Sequence, residues 1–127
     1  MNYIFSAIFL YFFLGFLLYI FQRRIVFNKS GHPGAPKDYN LDNTEEVYIK
    51  TEDNLKLLSW YHKGNNSLPL LVYFHGNSFH IGDRAYRIQR YIEKNWSVLL
   101  VSWRGFGGNE GNPTEKNLYK DAEAVLK

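Results

Sequence analysis

The sequence contains no cysteine. This absence excludes disulfide bonds, thiolate zinc sites and a cysteine nucleophile, and it fits a reducing compartment. The sequence has four histidines. His62 has no carboxylate or second histidine at ligand spacing, so the sequence predicts no metal site.

The chain also lacks a large net charge of either sign. The formal net charge is +3, and the basic residues are scattered once the chain has passed Arg24. Basic and aromatic residues do not alternate as they do on surfaces that bind nucleic acid, so we expect no nucleic-acid partner. The sequence shows no internal repeat and no low-complexity tract, and its length allows one domain at most.

One long apolar run stands at the amino terminus. The nineteen residues from Tyr3 to Phe21 carry no charge, and as a helix they would extend roughly 28 Å, close to the thickness of a hydrocarbon core. The run predicts a transmembrane helix; a cleaved signal peptide and a buried core helix are the alternatives. Met1 and Asn2 supply no basic n-region, and Arg23 and Arg24 follow in place of a small-residue cleavage site, which argues against the signal peptide.

The charges that follow this run predict its orientation. They are Arg23, Arg24, Lys29 and Lys37. By the positive-inside rule, we expect a single-pass membrane protein whose carboxyl-terminal part faces the cytoplasm. The chain then divides into a transmembrane anchor (1–24), a linker (25–43) and a folded domain (44–127). The linker contains a Pro- and Gly-rich turn segment, and its loop 28–43 is expected to contribute little apolar area.

Strand and helix patterns alternate after the linker. The predicted strands are 46–51, 55–61, 70–74 and 98–101, and the predicted helices are 82–94 and 115–127. The first two strands read as a hairpin, and Thr114 is placed to cap the last helix. A hairpin followed by strand, helix, strand and helix predicts an α/β fold whose parallel sheet has an antiparallel edge.

The third strand ends at a small polar turn, where open α/β sheets place their chemistry. The turn consists of His75, Gly76, Asn77 and Ser78. Three interpretations stay open: a nucleophile elbow at Ser78, a set of backbone N–H groups that stabilise an oxyanion, or a simple strand end. The elbow is the weakest, because Phe79 and His80 stand where the GxSxG pattern needs small residues.

A glycine-rich loop, 103–113, follows the fourth strand. Read from Gly105 as the GxGxxG pattern of a dinucleotide site it fails, because Glu110 takes the place of the third glycine and Pro113 prevents a helix from starting there. We therefore expect no cofactor. Instead we expect glycines at positive φ, held by contacts of Arg104 with nearby carbonyls or carboxylates. The structural residues of the loop are Arg104, Gly105, Gly107 and Gly111.

Together these motifs resemble the α/β-hydrolase superfamily, and in particular its membrane-anchored serine hydrolases typified by Bem46 and the abhydrolase-domain-containing 13 and 17 proteins. In that branch one strand ends in H-G-N and the next in D-Y-R-G-Y-G-x-S-x-G. Here Ser102 and Trp103 replace the Asp-Tyr pair, and Asn109 stands where Ser is common. The resemblance covers about 80 residues, from Glu46 onward.

The resemblance implies an oxyanion-hole loop at His75, Gly76, Asn77 and Ser78. It also implies that the nucleophile, the acid and the catalytic histidine come later than Lys127, and no GxSxG occurs in the 127 residues. We therefore expect the amino-terminal half of an α/β-hydrolase sheet, truncated before the nucleophile elbow. No residue is assigned as catalytic, and the chain alone is expected to be inactive in ester or acyl hydrolysis.

Two alternatives to this expectation differ in class. The chain could be a non-catalytic single-pass membrane protein that uses the half-domain as an interaction module or pairs with a separately encoded carboxyl-terminal half. It could instead be a minimal esterase built on Ser78 and a neighbouring histidine. The strand order implied by the resemblance, 1-2-4-3, would leave the apolar strand 70–74 at an exposed edge, where it is prone to aggregate.

Overall fold

A computed structural model describes residues 2–127. The helices are α1 (Asn2–Val26), α2 (Ala85–Ile92) and α3 (Glu115–Leu126), with short 3₁₀ turns at Pro36–Tyr39 and Ile81–Arg84. The strands are β1 (Asn28–Lys29), β2 (Thr44–Lys50), β3 (Lys56–His62), β4 (Leu70–Phe74), β5 (Ser78–Phe79) and β6 (Ser97–Val101).

In helix α1 the residues from Tyr3 to Val26 are exposed except for the half-buried Leu17, and apolar side chains cover every side of the helix. It runs one turn beyond the predicted span, because Gln22, Arg23 and Arg24 are all good helix formers. The 24 residues Tyr3–Val26 would extend about 36 Å as a helix, enough to cross a hydrocarbon core. By length and composition, α1 is thus a candidate membrane span.

The four long strands form one sheet in the order β2-β3-β6-β4. The pairs β2–β3 and β3–β6 are antiparallel, and β4 runs parallel to β6. The predicted α/β class, with a parallel pair and an antiparallel edge, is confirmed. Strand β4 pairs with β6 on one side and with no described strand on the other, so its predicted place at the sheet edge is confirmed as well.

The core lies between this sheet and α2. Every residue of β6 is buried, as expected for the strand that lies between two neighbours. Ala85 and Ile88 of α2 pack on Trp60 and Leu100 from the sheet. Each large apolar side chain so buried stabilises the fold by about 1.5 to 3 kcal/mol relative to an exposed one.

The segment between α1 and the hairpin packs on this core. Leu41 is 2% exposed, and the Tyr39 ring lies 5.4 Å from that of Trp60. The Tyr39 hydroxyl donates a hydrogen bond of 2.6 Å to the Pro33 carbonyl, and Gly82 leaves room for the ring because a Cβ there would collide with it. The expectation that this segment contributes little apolar area is therefore wrong.

Two further details differ from the sequence-based expectation. The predicted helix 82–94 begins as a 3₁₀ turn and becomes α-helical only at Ala85, ending at Ile92. Strand β5 was not predicted, and it precedes that turn. The predicted cap of α3 is confirmed, because the Thr114 hydroxyl accepts a 3.2 Å hydrogen bond from the Asn117 amide.

Candidate functional site

The turn after β4 is joined to the loop after β6 through His75. Its imidazole is 4% exposed, and Nε2 accepts a hydrogen bond from the backbone N–H of Trp103 (3.3 Å). In return the indole N–H of Trp103 donates to the carbonyl of His75 (2.8 Å), and the indole stacks on Phe74 at 4.7 Å. Because β4 and β6 are neighbouring parallel strands, the loops that follow them meet at the carboxyl end of the sheet.

His75 is a neutral positioning group. The pKa of His75 is lowered to about 4, mainly by burial and also by the nearby charges of Arg84 and His80, while an interaction with the backbone of Gly76 raises it. Because Nε2 accepts from Trp103, the proton of the neutral ring is assigned to Nδ1. No carboxylate bonds the ring among residues 2–127, so His75 lacks the partner that orients a catalytic base.

Gly76 and Asn77 present free backbone donors. Both residues are exposed, and neither backbone N–H donates a hydrogen bond to another described group. A Cβ built on Gly76 would have no atom within 4 Å, so the space beside its Cα is open. Two adjacent unpaired amides at the end of a strand can donate to an oxyanion. The oxyanion-hole assignment of residues 75–78 stays a prediction.

The same turn is fixed to the end of α1. The Asn77 side chain donates to the carbonyl of Val26 (2.8 Å), and the Asn77 carbonyl accepts from the amide of Asn28 (3.1 Å). Strands β1 and β5 then pair in parallel, with Asn28 opposite Ser78. Sequence reasoning missed this contact, because strands of two residues carry no periodicity that could reveal them.

Ser78 has no base beside it. It is half-buried in β5, and no hydrogen bond joins its hydroxyl to a histidine in the described part of the chain. The nearest candidate along the chain, His80, places Nδ1 3.1 Å from the Asp83 carboxylate. The residue with the positive φ of a sharp turn is Phe79 (64°) and not Ser78. The geometry thus lends no support to a nucleophile elbow at Ser78.

Arg104 holds the glycine-rich loop against two carboxylates. Its Nε donates to Asp121 (2.8 Å) and its Nη1 to Asp53 (2.7 Å), while its backbone N–H donates to the second oxygen of Asp121 (3.0 Å). Burial alone would lower the pKa of Arg104, but the hydrogen bonds to Asp121 and Asp53 raise it above its usual value. Hydrogen bonds from Arg104 and Thr51 hold the pKa of Asp53 well below its usual range. Both shifts favour the charged forms of Arg104 and Asp53.

The glycines of this loop have the positive φ predicted for them, including 76° at Gly105, 57° at Gly107 and 91° at Gly111. Two of them are also sites of close packing. A Cβ at Gly105 would lie 2.7 Å from the Pro113 ring, and one at Gly107 would lie 2.9 Å from the Ser102 hydroxyl. Larger residues would therefore be strained in both backbone angle and contact.

Asn109 is a structural residue that the sequence did not single out for a role. Its side-chain oxygen accepts from the Leu58 amide of β3 (3.0 Å), and its side-chain nitrogen donates to the carbonyls of Ser102 (3.0 Å) and Trp103 (3.2 Å). Asn109 thus joins the loop to β3. The only available signal was its departure from the serine that is common at this position in the resembling branch.

Residues 2–127 bring together no group of three or more His, Asp or Glu side chains that could hold a metal ion.

No protein-family model matches the chain. Individual relatives do: Bem46 of Schizosaccharomyces pombe is 32% identical over 124 residues, which cover 89% of this chain and 40% of that protein. The α/β hydrolase domain-containing protein WAV2 of Arabidopsis thaliana is 29% identical over 119 residues (87% and 38%). A protein of Saccharomyces cerevisiae described as an uncharacterized membrane protein is 30% identical over 115 residues (86% and 40%). The chain spans about 40% of the length of these relatives.

Solved structures share the fold. An esterase of Pyrococcus furiosus superposes with a TM-score of 0.60 at 22% identity, over 79% of this chain and 40% of the esterase. An α/β hydrolase of Vibrio vulnificus superposes with a TM-score of 0.55 at 28% identity, over 68% of this chain and 30% of that protein. The chain is therefore a homologue of Bem46 and WAV2 with part of an α/β-hydrolase fold, which confirms the resemblance predicted from its sequence.

Proposed function

We propose that these 127 residues form the amino-terminal portion of a membrane-anchored serine hydrolase and supply its oxyanion-hole loop. The observation that carries this proposal is the pair of unpaired amides at Gly76 and Asn77, on a turn at the carboxyl end of β4. The donors precede the tight turn at Phe79, and the space beside the Cα of Gly76 is open, because a Cβ there would meet no atom within 4 Å. In an assembled hydrolase they would stabilise the negative oxygen of a tetrahedral intermediate, which is worth about 3 to 4 kcal/mol for one donor.

The same residues cannot complete acyl transfer by themselves. A serine nucleophile needs an adjacent base, and that base needs a third group to orient it. His75 is held neutral by burial and accepts from Trp103, and His80 faces Asp83. Ser78 therefore receives no activation, and the 127 residues alone are inactive as a hydrolase.

Anchoring by α1 is part of this proposal. The helix exposes apolar side chains on every side and carries Arg23 and Arg24 in its last turn. One relative, the Saccharomyces cerevisiae protein, is described as a membrane protein. In the proposed orientation the α/β domain lies on the cytoplasmic side.

Inactivity is tested with the full 127-residue chain in detergent, by labelling with a fluorophosphonate probe and by hydrolysis of a p-nitrophenyl ester. We expect neither labelling nor turnover above the rate of a denatured sample. Labelling that disappears in Ser78→Ala, and persists in the matched control Ser67→Ala, would contradict the proposal. That result would instead support a minimal esterase.

Anchoring is tested by carbonate extraction of membranes that contain the chain, followed by protease protection. We expect the chain in the pellet, with its carboxyl-terminal part accessible from the cytoplasmic side. The double variant Leu10→Arg/Leu14→Arg places two charges in the span at about 2.5 to 3.5 kcal/mol each, so it should shift the chain to the supernatant. The control Leu126→Arg, at a side chain that is 69% exposed in α3, should stay in the pellet.

The open edge of β4 favours a second candidate function, an interaction module that pairs with a separately encoded carboxyl-terminal hydrolase half. This edge lacks a described partner, and the strand consists of Leu70-Leu71-Val72-Tyr73-Phe74. An unpaired apolar edge binds added strands readily. Copurification of the tagged chain with a chain that carries GxSxG and a late histidine would support this function. A monomeric full chain that melts cooperatively and captures no such partner would argue against it.

A further inference from the structure

A cavity of about 640 Å³ lies between the carboxyl end of α1 and the loop that leads into α3. Arg23 and Arg24 contribute from the last turn of the helix, and Lys29 contributes from β1. Asn112 and Pro113 form the opposite wall. Two distant parts of the chain therefore flank this half-open space, which lies where α1 meets the α/β domain.

The charge of this cavity is uncompensated. Its lining includes the three cations Arg23, Arg24 and Lys29 and no carboxylate. Within residues 2–127 none of the three forms an ion pair, whereas Arg104 and Lys127 both contact carboxylates. Three cations around one space attract an anion, and arginine in particular matches the paired oxygens of a phosphate.

The position of Lys29 is fixed by the fold. Its backbone lies in β1, opposite Phe79 of β5, and its ammonium lies over the glycine-rich loop, where a Cβ at Gly105 would come within 3.2 Å of Nζ. On the other wall Pro113 is buried, and the Asn112 carbonyl accepts from the Asn117 side chain (3.1 Å). The two walls are thus held by separate contacts.

We propose that this cavity binds the phosphate of an anionic phospholipid headgroup. The inference rests on the proposed membrane anchoring, because the cavity then opens at the leaflet surface, where the apolar helix ends. Each lysine or arginine near an anionic leaflet contributes about 1 kcal/mol, or about a fivefold change in affinity. A run of basic residues next to a membrane span would involve only neighbouring residues of the sequence. This site differs because one of its walls, Asn112 and Pro113, belongs to a distant loop.

The test is native mass spectrometry of the full chain released from detergent, with dioleoylphosphatidylglycerol or dioleoylphosphatidylcholine added. We expect one phosphatidylglycerol to be retained in preference to phosphatidylcholine. Lys29→Gln should lower that retention about fivefold, Lys29→Arg should preserve it, and Asn112→Glu, which adds a carboxylate to the opposite wall, should lower it at least as much as Lys29→Gln. Arg87→Gln, at an exposed arginine of α2, is the matched control and should change nothing.

Three results would overturn the inference: equal retention of the two lipids, an unchanged Asn112→Glu variant, or an Arg87→Gln effect as large as that of Lys29→Gln. Displacement of the lipid by millimolar inorganic phosphate would assign the cavity to free phosphate instead. Folding of each variant is checked by circular dichroism. Failure of the anchoring proposal would be seen in a separate experiment. In that case sodium carbonate would release the chain from vesicles of neutral phosphatidylcholine.

Discussion

Arg104 and Asp121 form an ion pair that is shielded from solvent, with Nη2 2.6 Å from Oδ1 and side-chain exposures of 3% and 0%. The pair joins the loop after β6 to α3. A second carboxylate, that of Asp53 in the turn between β2 and β3, lies on the guanidinium from the other side. One cation therefore holds together three segments that are far apart in sequence.

Asp121→Asn should unfold the domain more easily, because it leaves a buried guanidinium with half of its compensation. Breaking a buried pair from one side costs about 3 to 5 kcal/mol. The free energy of unfolding is measured by denaturant titration of the full chain in detergent. Glu52→Gln, in the exposed pair of Glu52 with Lys127, is the control and should change stability little. Equal effects of the two variants would contradict a structural role for Asp121.

Stability should fall as the pH is lowered from 6.5 towards 4, because of His75. Its pKa is lowered to about 4 in the folded chain from 6.5, so over this window the unfolded chain binds a proton that the folded chain does not. The full contribution is on the order of 3 kcal/mol, present above pH 6.5 and lost towards pH 4. His75→Gln should flatten this part of the profile of melting temperature against pH. An unchanged slope in that variant would assign the pH dependence to other groups.

Asn109→Ala should destabilise the fold, because it leaves the Leu58 amide and the carbonyls of Ser102 and Trp103 without their partner. Leaving a buried polar group unpaired costs about 1 to 3 kcal/mol. Thermal unfolding followed by near-UV circular dichroism measures the loss. Asn66→Ala, at an exposed loop residue, is the matched control. If both alanine variants melt together, Asn109 does not join the loop to β3 as described.

Two glycine-to-alanine substitutions should differ in their effect on the free energy of unfolding. A Cβ at Gly64 would collide with the backbone of Asn95 and Trp96, so Gly64→Ala should cost about 1 to 3 kcal/mol. A Cβ at Gly76 would meet no atom within 4 Å, so Gly76→Ala should stay within about 0.5 kcal/mol of the parent chain. Both are measured by denaturant titration. A marked loss in Gly76→Ala would mean that the turn packs against something the structure leaves open.

Long elements could be predicted from the sequence because their side chains repeat with a recognisable period. Leu70–Phe74 and the strand that ends at Val101 are apolar runs bounded by turns, and the structure has β4 and β6 there. The positive φ of the loop glycines followed from composition. These features are local, so a window of about ten residues is enough to reveal them.

Contacts between distant residues could not be predicted in this way. The pairing of Asn28 with Ser78 involves strands too short to show a pattern, and nothing in the segment around Leu41 indicates that this leucine enters the core. The two carboxylates that bind Arg104 come from different elements, Asp53 from the turn between β2 and β3 and Asp121 from α3. Their identity is decided by packing of the whole domain, which a reading of single segments does not contain.

The hydrogen bond from the Asn77 side chain to the carbonyl of Val26, the last residue of α1, ties the turn after β4 directly to the end of the helix. Only Phe27 separates Val26 from β1, which pairs at once with β5. In the proposed membrane orientation, this contact would place the turn after β4 close to the plane of the lipid headgroups. If this turn supplies the proposed oxyanion-hole donors, those donors would then lie at the headgroup plane and not well above the membrane surface.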